Sequence, residues 1–310
     1  MRQPIRDKTP PQRLASSDTM RPMTADQSKL FPGTVFISTV LDAADTKASM
    51  TQSITRVYLM RAAMAGFLIG LFYLANYAVI AAISGVSEHA YDVGRFIGAM
   101  VFGFALAFIY YTKSELLTSN MMITTIALYY KRMKLSRAAT ILLLCFFGNL
   151  LGGLFIALLV SGSSLLDGSV GTFVEHTVET KLSYVTSGAS GMLDLFIRAI
   201  FCNFLINVSM LMTYNGLVKS DGVKVAVMHV AVVLFAFLGF EHSVANSVLF
   251  LVEGFHNGID VLAALGNVGI ALLGNYVGGG LLIGWYYAYA NDPSHGLANS
   301  GVTLAGDNTK

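Results

Sequence analysis

Two glutamates, a histidine and a pair of asparagines stand inside long apolar runs. ELLTSN begins at Glu115 and EHSVAN at Glu241, and each glutamate is followed five positions later by an asparagine, Asn120 and Asn246. The chemistry these side chains offer is hydrogen bonding and proton exchange. Carboxylates accept, amides and the hydroxyls of Thr118 and Ser243 do both, and the His242 imidazole donates when neutral and exchanges a proton near physiological pH. Glu241, His242 and Ser243 are consecutive, and three consecutive residues do not converge on one reacting atom. No metal-ligand spacing such as H-E-x-x-H occurs. Neither an enzyme nor a metal or other cofactor is therefore expected. Ionisable groups at membrane depth are costly and mark a path for something polar. On a smooth apolar helix His242 would read as a packing residue; inside a polar interruption it reads as pore-lining. His229 has no polar company and reads as packing, and His256 reads as a loop residue.

The elements that hold these residues are membrane spans. The chain has 310 residues, 55% hydrophobic and 12% charged, with a mean hydropathy of +0.63. So few charges cannot cover a soluble domain of this size. The net charge of +2 does not suggest a nucleic-acid partner. Cys145 and Cys202 lie in apolar segments and read as packing residues. Apolar runs long enough to cross a bilayer, about 20 residues each, occur at about 60–83, 96–130, 138–160, 192–214, 223–252 and 262–290. The second is interrupted by TKSELLTSN and the fifth by GFEHSVAN.

The two halves repeat. GNLLGG starts at Gly148 and GNYVGGG at Gly274; Asn275 follows Asn149 by 275 − 149 = 126 positions, and Glu241 follows Glu115 by the same 241 − 115 = 126. Three spans per half is an odd number, so the second copy must lie inverted. Inverted repeats with one broken helix in each half are a plan of transport proteins, with the polar site between the breaks. The expected fold is an all-α membrane protein of six transmembrane helices in two inverted three-helix repeats, the second and fifth helices broken. Free N–H groups at each break give a small anion a favourable potential. Glu115, Glu241, Asn120 and Asn246 read as braces, the carboxylates taking hydrogen bonds from loop amides. Thr118 is a possible donor to a passing anion.

Lysine and arginine set the orientation. They crowd the N-terminal segment, the loop at Lys131, Arg132, Lys134 and Arg137, and the loop at Lys219 and Lys224, while the intervening loops are mostly acidic. Both termini are therefore expected in the cytoplasm. The expected organisation is a disordered tail over 1–34, an amphipathic interfacial helix over 35–57 and a first repeat over 58–160. An extracytoplasmic loop over 161–190, a second repeat over 191–290 and a cytoplasmic tail over 291–310 follow.

GFEHSVAN, ELLTSN, the Cys202–Asn203 pair and the two GN-x-x-GG runs together resemble the formate/nitrite transporter family, over roughly 47–289. The resemblance implies an aquaporin-like subunit, a homopentamer with one pore per chain, and passage of small monovalent anions such as formate or nitrite, often with protons, across a cell membrane. By motif it makes His242 the central pore histidine and Thr118 the threonine of the second-span break. It makes Phe102, Leu106, Leu116 and Phe235 the constriction, with Phe102 and Leu106 closing the outer side and Leu116 and Phe235 the inner. Asn203 and Asn275 match asparagines near the pore, while Asn149 reads as packing. Two positions depart from the pattern. Lys113 stands where the family has a small residue, and is either a partner for Glu115 or an added charge on the anion route. Lys181 is the candidate vestibule lysine but lies 22 positions before Asn203, so either an inserted loop brings it back or that lysine is missing.

The mechanism expected is a weak acid crossing the apolar constriction in neutral form, since burial disfavours the charged form. The alternative is a neutral-solute pore of the water or glycerol kind, although paired Asn-Pro-Ala loops are absent.

Overall fold

The computed structural model describes residues 30–87 and 90–295. The tails expected over 1–34 and 291–310 lie mostly outside this range. Among the described residues the secondary structure is all helical. In chain order the helices are α1 (Thr34–Ser53), α2 (Thr55–Ser84), α3 (Tyr91–Phe102), α4 (Ala105–Tyr111), α5 (Leu117–Tyr129), α6 (Leu135–Ser161), α7 (Ser169–Thr186), α8 (Ala189–Tyr214), α9 (Asp221–Phe237), α10 (Ser243–His256) and α11 (Val261–Asn275). The chain continues from α11 through a π-helical stretch, Tyr276–Trp285, into α12 (Tyr286–Ala290). Five helical segments are long and apolar enough to cross a membrane: Thr55–Ser84, Tyr91–Tyr111, Leu135–Ser161, Ala189–Tyr214 and Val261–Ala290. The protein is an integral membrane protein.

The two interruptions are breaks between helices, α4 to α5 and α9 to α10. They are shorter than the polar sequences suggest, because Thr118, Asn120 and Asn246 already lie on the helices that follow. Each break starts with the same turn. Lys113 and Gly239, again 239 − 113 = 126 apart, take φ of +56° and +67°. The next N–H reaches back six residues' span, Ser114 to the Ile109 carbonyl (3.0 Å) and Phe240 to the Phe235 carbonyl (2.9 Å). This is the left-handed helix ending that glycine makes freely and that costs a residue with a side chain roughly 1–2 kcal/mol. Leu116 and His242 then run extended, with φ of −109° and −111°, into the next helix.

Two amphipathic helices flank the repeats. α1 buries Phe36, Ile37, Val40, Leu41 and Ala44. α7 buries Val174, Val178 and Lys181, and it lies within the connection expected over 161–190, where no helix was anticipated. Its apolar residues recur about every fourth position, too sparsely to stand out among neighbouring runs of membrane hydropathy.

Candidate functional site

Each break is tied down by one carboxylate, one lysine and two asparagines. At the first, the Glu115 carboxylate pairs with Lys47 of α1 and accepts from Asn120 Nδ2 at 3.1 Å. The Glu115 N–H donates to the Arg61 carbonyl. Asn149 then spans the gap: its Oδ1 accepts from the Leu117 N–H (3.1 Å), and its Nδ2 donates to the carbonyls of Glu115 and Ala62, both at 2.8 Å. The second break repeats this residue for residue. Lys181 Nζ of α7 donates to both Glu241 oxygens at 2.8 and 2.9 Å, and Asn246 Nδ2 donates at 2.6 Å. Asn275 Oδ1 accepts from the Ser243 N–H (2.9 Å), and its Nδ2 donates to the carbonyls of Glu241 (3.0 Å) and Ala199 (2.8 Å). Burial lowers the Lys181 pKa, but the adjoining Glu241 carboxylate raises it further, so the net shift is upward and the ammonium stays charged.

Several expectations change here. The glutamates do not receive the loop amides; Asn149 and Asn275 do, because their amides offer both an acceptor for the helix-start N–H and donors for the stranded carbonyls. Asn149 is thus a brace and not a mere packing residue. Asn275 and Asn203 are fully buried and are not among the residues lining the cavities below. Asn203 Nδ2 donates to the carbonyls of Asn275 (2.7 Å) and Thr118 (3.2 Å), so it stitches the two halves together. Lys113 is not the partner of Glu115; its ammonium lies 5.0 Å from the centre of the Tyr110 ring. Lys181 reaches its site on α7 itself, with no loop folding back.

Three residues of this network escaped sequence reasoning. Lys47 lies 68 positions from Glu115. Asn207, one helical turn beyond Asn203, also donates to the Thr118 carbonyl at 3.2 Å. Asn267 accepts from Asn246 (2.9 Å) and donates to the Lys181 carbonyl (2.8 Å), anchoring α7. The Asn203–Asn207 spacing of four was a readable signal; the other two had none.

The breaks meet at His242. Its Nδ1 accepts from the Ala245 N–H at 3.2 Å, capping α10. In the neutral ring this places the proton on Nε2, which lies 3.2 Å from Thr118 Oγ1 of the other break. Thr118 sits behind the imidazole, fully buried, and lines none of the three cavities. Its hydroxyl meets His242 Nε2 and not a cavity. The N–H groups of Thr118, Ser119 and Val244 have no hydrogen-bond acceptor among the described residues, leaving positive ends of α5 and α10 near the contact.

Three cavities run in series. One of about 260 Å³ is lined by Lys47, Arg61, Leu106, Lys113, Glu115 and Leu116, among others. Another of about 370 Å³ is lined by Phe102, Lys181, Arg198, Phe235, Glu241 and His242, with four tyrosines. Between them is a neck of about 20 Å³ whose walls are apolar except for His242. Leu106 and Leu116 separate the neck from the first cavity. Phe102 and Phe235, with ring centroids 6.0 Å apart, separate it from the second. The four expected constriction residues all line the neck, but the pairing differs. Phe102 and Leu106 lie four positions apart along the second span, so they border opposite ends of the neck, Phe102 with Phe235 toward the second cavity and Leu106 with Leu116 toward the first.

A sequence model of the family described as "Formate/nitrite transporter" matches residues 34–289. The chain is 33% identical to a nitrite transporter, NirC, of Salmonella typhimurium over 62% of this chain and 70% of that protein. It is 29% identical to the formate-nitrite transporter of Plasmodium falciparum over 74% and 77%. The structure superposes on that of an "FNT family ion channel" with a TM-score of 0.74 and 25% identity, covering 84% of this chain and all of the other. It also superposes on a pentameric formate channel with formate bound, with a TM-score of 0.61 at 23% identity, covering 75% and 96%. These proteins bear the names of transporters and channels, not of enzymes.

Proposed function

The chain belongs to the formate/nitrite transporter family, and on that premise we propose that it passes small monovalent anions of weak acids, formate or nitrite among them, with protons. The observation that carries this reading is the series of cavities: two cation-lined mouths joined by a narrow apolar neck with one imidazole at its edge. The mouths draw anions in. The neck rejects them as charges, since moving an ion into a low-dielectric site is far costlier than moving its conjugate acid. An anion at the Phe102–Phe235 gate is within reach of the His242 Nε2–H, which at rest points to Thr118. There it takes a proton, supplied by water or a lysine, or by His242 Nε2 as Nδ1 takes up a replacement proton, crosses as the neutral acid and ionises in the far mouth. Lys181 and Lys47 hold positive charge beside the two mouths, each kept in place by its glutamate.

The repeat of bonds at the two breaks supports six spans arranged as two inverted halves, with α3 to α5 forming the second span and α9 to α10 the fifth. By the distribution of basic loops, the mouth beside α1 faces the cytoplasm, the mouth beside α7 faces outward, and both termini are cytoplasmic in a cell membrane. A homopentamer follows from the family resemblance, in keeping with the pentameric neighbour.

The test is flux of formate and nitrite into proteoliposomes under opposed pH gradients. Wild type is expected to accumulate formate when the far side is alkaline. His242→Phe is expected to lose at least about a hundredfold of the rate, the lower end of what a positioned proton-transfer group contributes. Equal flux for both proteins at every pH removes His242 from the mechanism.

A further inference from the structure

The mouth beside α1 holds more positive charge than its ion pair uses. Lys47, Arg61 and Lys113 line it against a single carboxylate, Glu115, and that carboxylate is committed to Lys47 and Asn120. The Arg61 guanidinium meets Met50 Sδ at 3.5 Å, and Lys113 lies over Tyr110. Neither forms an ion pair with a carboxylate among the described residues. Lys113 also occupies a left-handed turn position, φ +56°, where the matching residue of the second break is Gly239. The first break therefore accepts a backbone cost that the second avoids, and the added lysine is one of the residues lining the cavity, its ammonium beside Tyr110, another lining residue.

We propose that Lys113 and Arg61 form a seat for a small doubly charged oxyanion, such as sulfate or hydrogen phosphate, in this mouth and outside the Leu106–Leu116 gate. Two unmatched cations, one on α2 and one on the break, balance two negative charges. The guanidinium fork takes two oxygens side by side, and the ammonium supplies a point charge. Such a dianion cannot follow the substrate, because the neck has no counter-charge and neutralising two charges takes two protons. Bound there, it blocks the path from the α1 side only. The blocking rests on the permeation reading above; the binding does not.

Calorimetric titration of sodium sulfate into the purified full-length chain, at constant ionic strength, tests the binding. One saturable site per chain is expected. Lys113→Gly should weaken it at least fivefold, Lys113→Arg should retain it, and Arg61→Gln should weaken it. Lys113→Gly removes the charge and the strained backbone together, so its melting temperature should equal or exceed that of wild type, which separates lost binding from misfolding. No saturable heat, or an unchanged affinity in Lys113→Gly, overturns the seat. In proteoliposomes, sulfate on the α1 side should inhibit formate flux where chloride of equal ionic strength does not, and Lys113→Gly should relieve it. Wild type that binds sulfate through Lys113 yet carries no formate sinks the permeation reading and leaves the seat standing. Formate flux without sulfate binding does the reverse.

Discussion

Lys181 and Glu241 are buried together, 6% and 2% exposed, and among the described residues neither has another ion-pair partner. Removing one member leaves an uncompensated buried charge, a loss of about 3–5 kcal/mol, whereas replacing both with neutral residues of similar shape is often close to neutral. Lys181→Met is therefore expected to lower the thermal midpoint of the detergent-solubilised protein sharply. The Lys181→Met, Glu241→Gln double variant should recover most of the loss, since a glutamine still accepts from Asn246. A single variant as stable as wild type would show the pair to be dispensable to the fold. The glutamates and asparagines of this network were legible because they are polar in apolar surroundings. Lys47 was not, because its own neighbourhood is polar and nothing in it names a partner 68 positions away.

At the scale of elements, equivalent glycines set the distance between packed helices. Gly152 of α6 lies against the Ala63 carbonyl of α2, and Gly278, 278 − 152 = 126 positions on, lies against the Ile200 carbonyl of α8. A β-carbon at either position would overlap that carbonyl, and backbone cannot yield as a side-chain end can. Small residues at such crossings let helix backbones approach. Gly278→Ala is expected to cost about 1–3 kcal/mol through overpacking, read as a lower melting temperature. Gly269→Ala, at a site of α11 with open space around it, should not lower it, since alanine is the better helix former. The GN-x-x-GG runs announced these contacts in the sequence. The amphipathic α7 was illegible, because its helical period is carried by a few valines and its significance lies in one lysine that it delivers to another element's break.

For the whole molecule, the alternation of basic and acidic loops implies that the segments around Lys134 and Asp167 lie on opposite sides of the membrane. Both positions are exposed, and the native Cys145 and Cys202 are buried. Single cysteines introduced as Lys134→Cys and Asp167→Cys should therefore react with a membrane-impermeant maleimide from opposite faces. Labelling of both from one face would refute the inverted-repeat topology.

The chain's own order of residues determined that this is a helical membrane protein, that its halves repeat at a spacing of 126, and that each half breaks at a glutamate. Hydropathy, helix length and residue offsets are local or periodic properties, and a single strand of text carries them. Which side chain faces the path, which stands behind it, and which residues share a gate depend on how distant helices rotate against one another. Only the packed structure put Thr118 behind His242, set Asn203 and Asn275 in hydrogen bonds away from the three cavities, and placed Phe102 with Phe235 and Leu106 with Leu116 at the two ends of the neck. The physical reason is that a side chain's role here is fixed by partners tens to more than a hundred positions away, and composition and spacing do not encode those angles.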